Sequence, residues 1–334
     1  MPGNASIAFD LGCHSTVVAN QEGLQLKEPS LVALSPQWPV RVGGAAFEMQ
    51  KLPRRHYRVT KPFCQGAVTD STLASHMLSA FVEKLYPGVL PAQEFAWVLG
   101  NLPYETTIQE QEARRQVLCK LGGQRTALVY EPLAAALSFR PALPPESCAL
   151  LMDLGGESAK ITLLSFPEIV AHRTIPVAGD RLTQALQEYV HAAYELDISW
   201  EAAEQLKLHL GAATEALTIA PQAYTLTGHH MRHGTPVQRT IRYQELLSPL
   251  EAPLRLLEQA LQEMLAQGPA GMTEKIARQG IQLTGGSALL RGLRLRLATT
   301  LGVPVSIPTF PLFSVAQGLY YLLQHPTHYP ALLR

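Results

Sequence analysis

At 334 residues the chain exceeds what one hydrophobic core ordinarily serves, so two compact lobes are expected. With 47% apolar residues and a formal net charge of zero, it reads as a soluble globular protein and gives no bulk electrostatic reason to bind nucleic acid or an acidic membrane surface. The four cysteines, Cys13, Cys64, Cys119 and Cys148, form no C-x-x-C pair, which argues against a zinc centre or a disulfide framework and fits a reducing cytoplasm.

No basic-then-apolar leader opens the sequence, Asp10 interrupts its first apolar run, and no stretch approaches the roughly 20 apolar residues that span a bilayer. Neither an exported nor an integral membrane protein is expected. Ile7 to Asp10 is an apolar run that predicts a buried strand, Thr16 to Ala19 resumes it, and Leu31 to Leu34 follows Glu28-Pro29-Ser30. Lys51 to Lys61, with Arg54, Arg55, His56 and Arg58, reads as a solvated loop of a small inserted subdomain. The spacing of Leu73, Met77, Leu78, Phe81, Val82 and Leu85 predicts an amphipathic helix over 71–85, ending in the turn Tyr86-Pro87-Gly88. A strand over 96–99, a helix over 106–121, a strand over 127–130 and a helix over 132–138 with proline in its first turn come next. Pro141, Pro144 and Pro145 mark a linker, expected as the hinge crossing between lobes.

The second half repeats the scheme. Strands over 150–153, 161–165 and about 169–175 form a meander, and a helix over 180–194 presents Leu182, Leu186 and Val190 on one face. Another helix over 201–210 stops before Gly211. A polar hairpin spans 228–234; its His229, His230 and His233 read as exposed loop residues, since no cysteine or carboxylate accompanies them as metal ligands. The segment 243–267 is long and helical, with Pro249 and Pro253 near its start or at a kink. The order β-β-β-α then β-α thus occurs twice. It predicts an α/β architecture of two lobes, each a mixed sheet flanked by helices, with a ligand cleft between them.

Three segments carry candidate chemistry. Asp10-Leu11-Gly12, followed by Cys13, His14, Ser15 and Thr16, and Asp153-Leu154-Gly155-Gly156, followed by Glu157 and Ser158, each end an apolar strand in a carboxylate and a glycine turn. Such a turn lets backbone N–H groups and hydroxyls approach phosphate oxygens. Thr284-Gly285-Gly286-Ser287 adds a double glycine before a helix-like stretch. The two aspartates read either as strand-end caps or as a pair for Mg²⁺ held through water. Glu131, before Pro132, either complements a helix dipole or is a catalytic carboxylate. Glu204 and Lys207, three apart on one helix, are either a surface ion pair or a ligand contact.

The segments IAFDLGCHSTVV, LKEPSLVAL, YEPLAAAL, LLMDLGGESAKITLLSF, PVAGDRLTQALQEYV, AAEQLKLHLGAA and IQLTGGSALLRGL stand in the order seen in the actin, Hsp70 and sugar-kinase superfamily. Within it the chain resembles the MreB-like bacterial actins. The resemblance implies an actin-like fold with subdomains at 1–32, 72–145 and 315–334 (IA), 33–71 (IB), 146–180 and 246–314 (IIA), and 181–245 (IIB). It implies ATP or ADP with Mg²⁺ as ligands. Asp10 and Asp153 would hold the metal; Gly12, Cys13, His14, Ser15 and Thr16 would form the first phosphate turn, and Gly155, Gly156, Glu157 and Ser158 the second. Glu131 would orient the attacking water, with Asp153 and Ser158 beside it. Gly179 and Asp180 would belong to the nucleotide site, and Glu204 and Lys207 would contact the ribose or adenine, with Gly285, Gly286 and Ser287 on the other side of the base.

The chain departs from the family pattern at Cys13 and His14, where small residues or threonine are usual, at Glu157 in place of a third glycine, and at Ala159-Lys160 in place of Thr-Glu. Two like charges about 4 Å apart repel by ~4 kcal/mol at a surface-like dielectric, so unless Mg²⁺ or Lys160 compensates, Glu157 implies weak nucleotide binding or binding with slow hydrolysis, the other reading being a side chain placed outward with little effect. The resemblance implies a cytoplasmic, filament-forming homopolymer that serves as a cytoskeletal scaffold in cell shape or intracellular organisation. It also implies peripheral membrane contact through the apolar loop of Tyr86, Val89 and Leu90, whose other reading is ordinary packing. The alternatives are a non-polymerising, nucleotide-dependent regulator and, last, a small-molecule kinase.

Overall fold

The computed structural model describes residues 5–36, 39–49, 57–64, 66–88, 95–139 and 147–334. Strand Ser6–Leu11 is buried on both faces, with Ile7, Phe9 and Leu11 on one and Ser6, Ala8 and the half-buried Asp10 on the other, and lies at the centre of a five-stranded sheet. Across the sheet the order is Gly23–Pro29, Ser15–Asn20, Ser6–Leu11, Phe95–Leu102, Gly123–Tyr130. The first three strands pair antiparallel and the last two join in parallel. Gly23–Pro29, an edge strand of mostly exposed and half-buried residues, was not expected from the sequence.

Around this sheet the helices form where periodicity and capping agree. The Ser71–Leu85 helix is capped by Asp70, whose carboxylate accepts from the N–H groups of Thr72 and Leu73, and it buries Ala74, Met77, Leu78, Phe81 and Val82. The Ile108–Cys119 helix begins with a reciprocal capping box between Thr107 and Glu110. Glu131–Leu137 has proline in its first turn and is buried along its whole length. The Ser314–Gln324 helix packs on it so closely that a Cβ at Gly318 would stand 1.8 Å from the Ala134 carbonyl oxygen. A small sheet of Arg41–Val42, Val32–Leu34 and Arg58–Thr60, with the helix Gly44–Met49, encloses Leu31, Ala33 and Ala46. These elements make one compact unit, formed by the chain up to Pro145 together with Phe313–Arg334.

The second unit, Glu146–Leu312, is built on the same plan. Its sheet runs Glu168–Ile175, Ala159–Ser165, Cys148–Leu154, Ile281–Thr284, Val305–Ser306, again with three antiparallel strands followed by two parallel ones. Helices Gly179–Tyr194, Trp200–Leu210, Leu247–Gln267, Ala270–Gln279 and Leu293–Leu301 accompany it. The hairpin expected over 228–234 is longer, with strands Tyr224–His230 and Pro236–Ile241, the first of which also pairs with Leu196–Asp197. Pro253 lies buried inside Leu247–Gln267 without ending it, and Tyr243–Leu246 forms a separate 3-10 turn ahead of that helix. The basic residues Arg54, Arg55 and His56 and the hinge prolines Pro141, Pro144 and Pro145 fall outside the described residues.

Arg296 ties two helices of this unit together, donating to Glu251 and Glu258 at 2.6 Å each. Its hydrogen bond to Glu251, with a second from Arg255, holds that carboxyl at about 2, below its ordinary 4.5. A depressed carboxylate stabilises the fold above its unfolded value and loses that contribution as pH falls through the folded one. Stability should therefore decline between about pH 4.5 and 2, and Glu251→Gln should flatten that limb. Because the side chain is 40% exposed, the effect is set at ~1 kcal/mol, readable by urea denaturation across that range.

Candidate functional site

Each unit ends its central strand in the same turn, D-L-G-x-x-S. Asp10 opposes Val17 and Leu11 opposes Thr16 in the first unit; Asp153 opposes Lys160 and Leu154 opposes Ala159 in the second. The separation across the turn is identical in both. Gly12 donates its N–H to the Ser15 carbonyl at 3.1 Å, and Gly155 donates to that of Ser158 at 3.2 Å. A Cβ at Gly12 would stand 2.7 Å from the Ser15 oxygen, so glycine is required there by close approach alone. Cys13 and Ser15 are half-buried and His14 is exposed in this turn. Thr16 is turned inward, fully buried, its hydroxyl 2.9 Å from that of Ser30. The structure thus gives Thr16 a bracing contact behind the turn.

In the second unit the remaining glycine segments converge on this turn. Thr284 lies beside Asp153 in parallel pairing and donates its hydroxyl to the carboxylate at 3.0 Å. Gly285 has φ +82, and a Cβ there would fall 2.3 Å from the Leu154 oxygen and 2.7 Å from the Asp153 carboxylate. Ser287 donates to the Gly155 carbonyl at 2.9 Å. The N-terminus of helix Gly179–Tyr194 abuts the same backbone: Gly179 N–H reaches the Gly155 carbonyl at 3.1 Å and Asp180 N–H that of Gly156 at 2.8 Å. Lys207 donates to the Gly179 carbonyl at 2.9 Å and to Thr183 Oγ1 at 2.8 Å, and pairs with Glu204 at 2.7 Å. Of the expected residues, Gly155, Gly156, Gly179, Asp180, Glu204, Lys207 and Ser287 are therefore joined by hydrogen bonds or an ion pair, while Asp153 is bonded to Thr284 and Gly285 abuts it. Gly286, Glu157 and Ser158 sit half-buried in the same turns. Thr183, buried and bonded to Glu204 at 2.5 Å, was not foreseen. Its position four residues after Gly179, one helical turn on, was the available signal.

In the first unit Glu131 heads its helix at 7% exposure and accepts a bond from Asn101 Nδ2 at 2.8 Å. Asn101 Oδ1 in turn accepts from Leu11 N–H at 2.8 Å and from Arg114 at 3.0 Å. Arg114 is buried, donates also to the Gly66 carbonyl at 2.7 Å, and lies over the Phe63 ring. Burial pushes its pKa down from the ordinary guanidinium value, with Glu131, Cys13, Asp10 and Glu110 opposing. Neither Asn101 nor Arg114 was expected. A polar residue inside the apolar run of 95–102, and an arginine three and four residues before Val117 and Leu118, were the signs.

Outside these clusters, His229 and His233 are exposed, and His230 and Arg232 lie 3.7 and 3.0 Å from Glu195. Tyr86 is held by the fold, accepting from Asn20 Nδ2 at 2.8 Å and packing on Phe95. Val89 and Leu90 fall outside the described residues. Among the described residues no helix is long and apolar enough to cross a membrane.

Comparison with known proteins agrees with this geometry. The family described as MreB/Mbl protein matches residues 4–330. The cell shape-determining protein MreB of Escherichia coli (strain K12) is 28% identical over 321 residues, covering 93% of this chain and 91% of that one. The cell shape-determining protein Mbl of Bacillus subtilis (strain 168) is 28% identical over 331 residues, covering 97% of each. Among solved structures, MreB 5 of Spiroplasma citri bound to AMPPNP superposes with a TM-score of 0.88 at 22% identity, covering 99% of both chains. A MamK double helical filament superposes at 0.79 and 18% identity, covering 96% of this chain and 99% of that one. With two sheets of matching topology, twin D-L-G turns and a family match along nearly its whole length, this chain belongs to the MreB/Mbl family and has the actin-like fold.

Proposed function

We propose that this chain is an ATP-binding, filament-forming bacterial actin that acts as a cytoskeletal scaffold in cell shape or intracellular organisation. The observation that carries the reading is the twin turn, two D-L-G-x-x-S segments with the same strand register and the same Gly-to-Ser hydrogen bond. Backbone approach of this kind suits phosphate oxygens, and strand-end carboxylates suit a hard, oxygen-seeking cation. Asp10, Gly12, Cys13, His14 and Ser15 are the phosphate-binding groups of one turn, and Asp153, Gly155, Gly156, Glu157 and Ser158 those of the other. Gly179, Asp180, Glu204, Lys207, Gly285, Gly286 and Ser287 form the nucleoside side. Mg²⁺, held by Asp10 and Asp153, would supply neutralisation of phosphate charge. Glu131 orients the attacking water and accepts its proton; Glu157 keeps turnover slow through its charge beside the phosphates. The fold of two proteins solved as MreB 5 with AMPPNP and as a MamK filament supports both halves of the reading. The four-part division expected from the sequence belongs to the same proposal, supported by the small sheets lying mostly within 33–71 and 181–245.

Purified protein at micromolar concentration should bind ATP by calorimetry and should pellet as filaments, visible by electron microscopy, when Mg-ATP is added. Binding without pelleting across nucleotide states and salt would replace the scaffold by a non-polymerising regulator. Pelleting with liposomes, abolished by Val89→Asp with Leu90→Asp, would be the mark of peripheral membrane contact.

A further inference from the structure

We propose that Asn101 is a positioning residue for nucleotide hydrolysis, tying the Glu131 carboxylate to the backbone of the first phosphate turn while Arg114 fixes the amide. The inference rests on the role given to Glu131 above. Asn101 is 1% exposed in a strand otherwise made of apolar residues and glycine, so its amide carries the full cost of desolvation unless every bond is made. Its acceptor faces main chain and guanidinium, at Leu11 N–H and Arg114. Its donor faces the one carboxylate of the helix that follows the neighbouring strand. An asparagine needed only to satisfy the strand end would have no use for that second contact.

Leu11 immediately precedes Gly12, so the bond from its N–H reaches the turn through one peptide unit. Arg114 also donates to the Leu11 carbonyl at 3.4 Å and to the Asn101 carbonyl at 3.3 Å, closing the frame on a third side. The base and the phosphate turn are thereby held in one rigid piece. Orientation of this kind is lost steeply with displacement, on the order of a hundredfold in rate for a shift near 1 Å. The titratable and charged groups around the guanidinium are Glu131 on its helix, Asp10 on the central strand, Cys13 in the turn and Glu110 on the helix of Arg114 itself.

The test compares native protein with Asn101→Asp and Asn101→Leu, using Glu131→Gln as the reference for turnover without the carboxylate. Asn101→Asp keeps the acceptor for Leu11 and Arg114 and turns the donor into a second carboxylate oxygen facing Glu131, so the two acids share a proton. Phosphate release at pH 7 should fall on the order of tenfold. Its half-maximal pH should rise by about one unit or more. ATP affinity should stay within about twofold. Asn101→Leu, which adds no charge and gives the turnover reading if the aspartate variant does not fold, should lower turnover and raise the pH midpoint by less than the aspartate variant does, because it only removes a donor from the Glu131 carboxylate. Release lost in Glu131→Gln but unchanged in both Asn101 variants, in rate and in pH profile, would overturn this inference alone. No release from native protein would overturn it together with the hydrolysis reading.

Discussion

Glu131→Gln is expected to lower ATP hydrolysis by about 10²–10⁴-fold while ATP still binds with near-native affinity. The carboxylate is acid-base machinery in the proposed reaction, so its worth is realised when the water attacks and not when the nucleotide docks. Glutamine is the informative replacement because it retains an oxygen that accepts from Asn101 Nδ2. Alanine would leave that buried N–H without its partner and add a stability loss of about 1–3 kcal/mol, confounding the kinetics. Phosphate release and calorimetry on the same preparation separate the two quantities. A glutamine variant that no longer binds ATP would mean that the carboxylate belongs to ground-state recognition instead.

Gly318→Ala should be the most destabilising single methyl addition in the first unit. The added Cβ would meet the Ala134 carbonyl oxygen at 1.8 Å, the carbonyl carbon at 2.4 Å and Cα at 2.8 Å, all main chain, so no side-chain rotation relieves it. The Ser314–Gln324 helix would have to withdraw from Glu131–Leu137, at about 3 kcal/mol, or roughly 6–12 °C in melting temperature for a unit of this size. Gly271→Ala is the control, because nothing lies within 4 Å of its added methyl and the site is helical. An unchanged melting temperature for Gly318→Ala would refute the close approach.

What the sequence made legible follows from how strongly each segment repeats one physical signal. Helix Ser71–Leu85 was visible to the residue because its apolar side chains recur at helical spacing from Leu73 to Leu85. The twin turns were visible because aspartate and glycine after an apolar run is a compact pattern, and it occurs twice. Strand Gly23–Pro29 was hidden: at a sheet edge its Leu24, Gln25 and Lys27 reach solvent and dilute the alternation. Helix Ala270–Gln279 was hidden for a related reason, since among the side chains described in it only Ile276 is a buried apolar one. Asn101, Arg114 and Thr183 illustrate another limit. Polar side chains read as surface until their partners are known, and these partners lie up to 103 residues away in sequence.

The chain order of the first unit bears on how the protein is made. Its sheet is laid down by residue 130, yet the Ser314–Gln324 helix that covers it comes only after the entire second unit has been synthesised. Glu146–Leu312 is continuous and can close its core as it leaves the ribosome, whereas the earlier segment waits with Ala134 and the central strands uncovered. At ~5–20 residues per second that wait lasts about 10–40 s. During it the unit emerging first is the one completed last, and a nascent chain halted before residue 314 should display the sensitivity to proteases and the chaperone dependence of an unfinished domain.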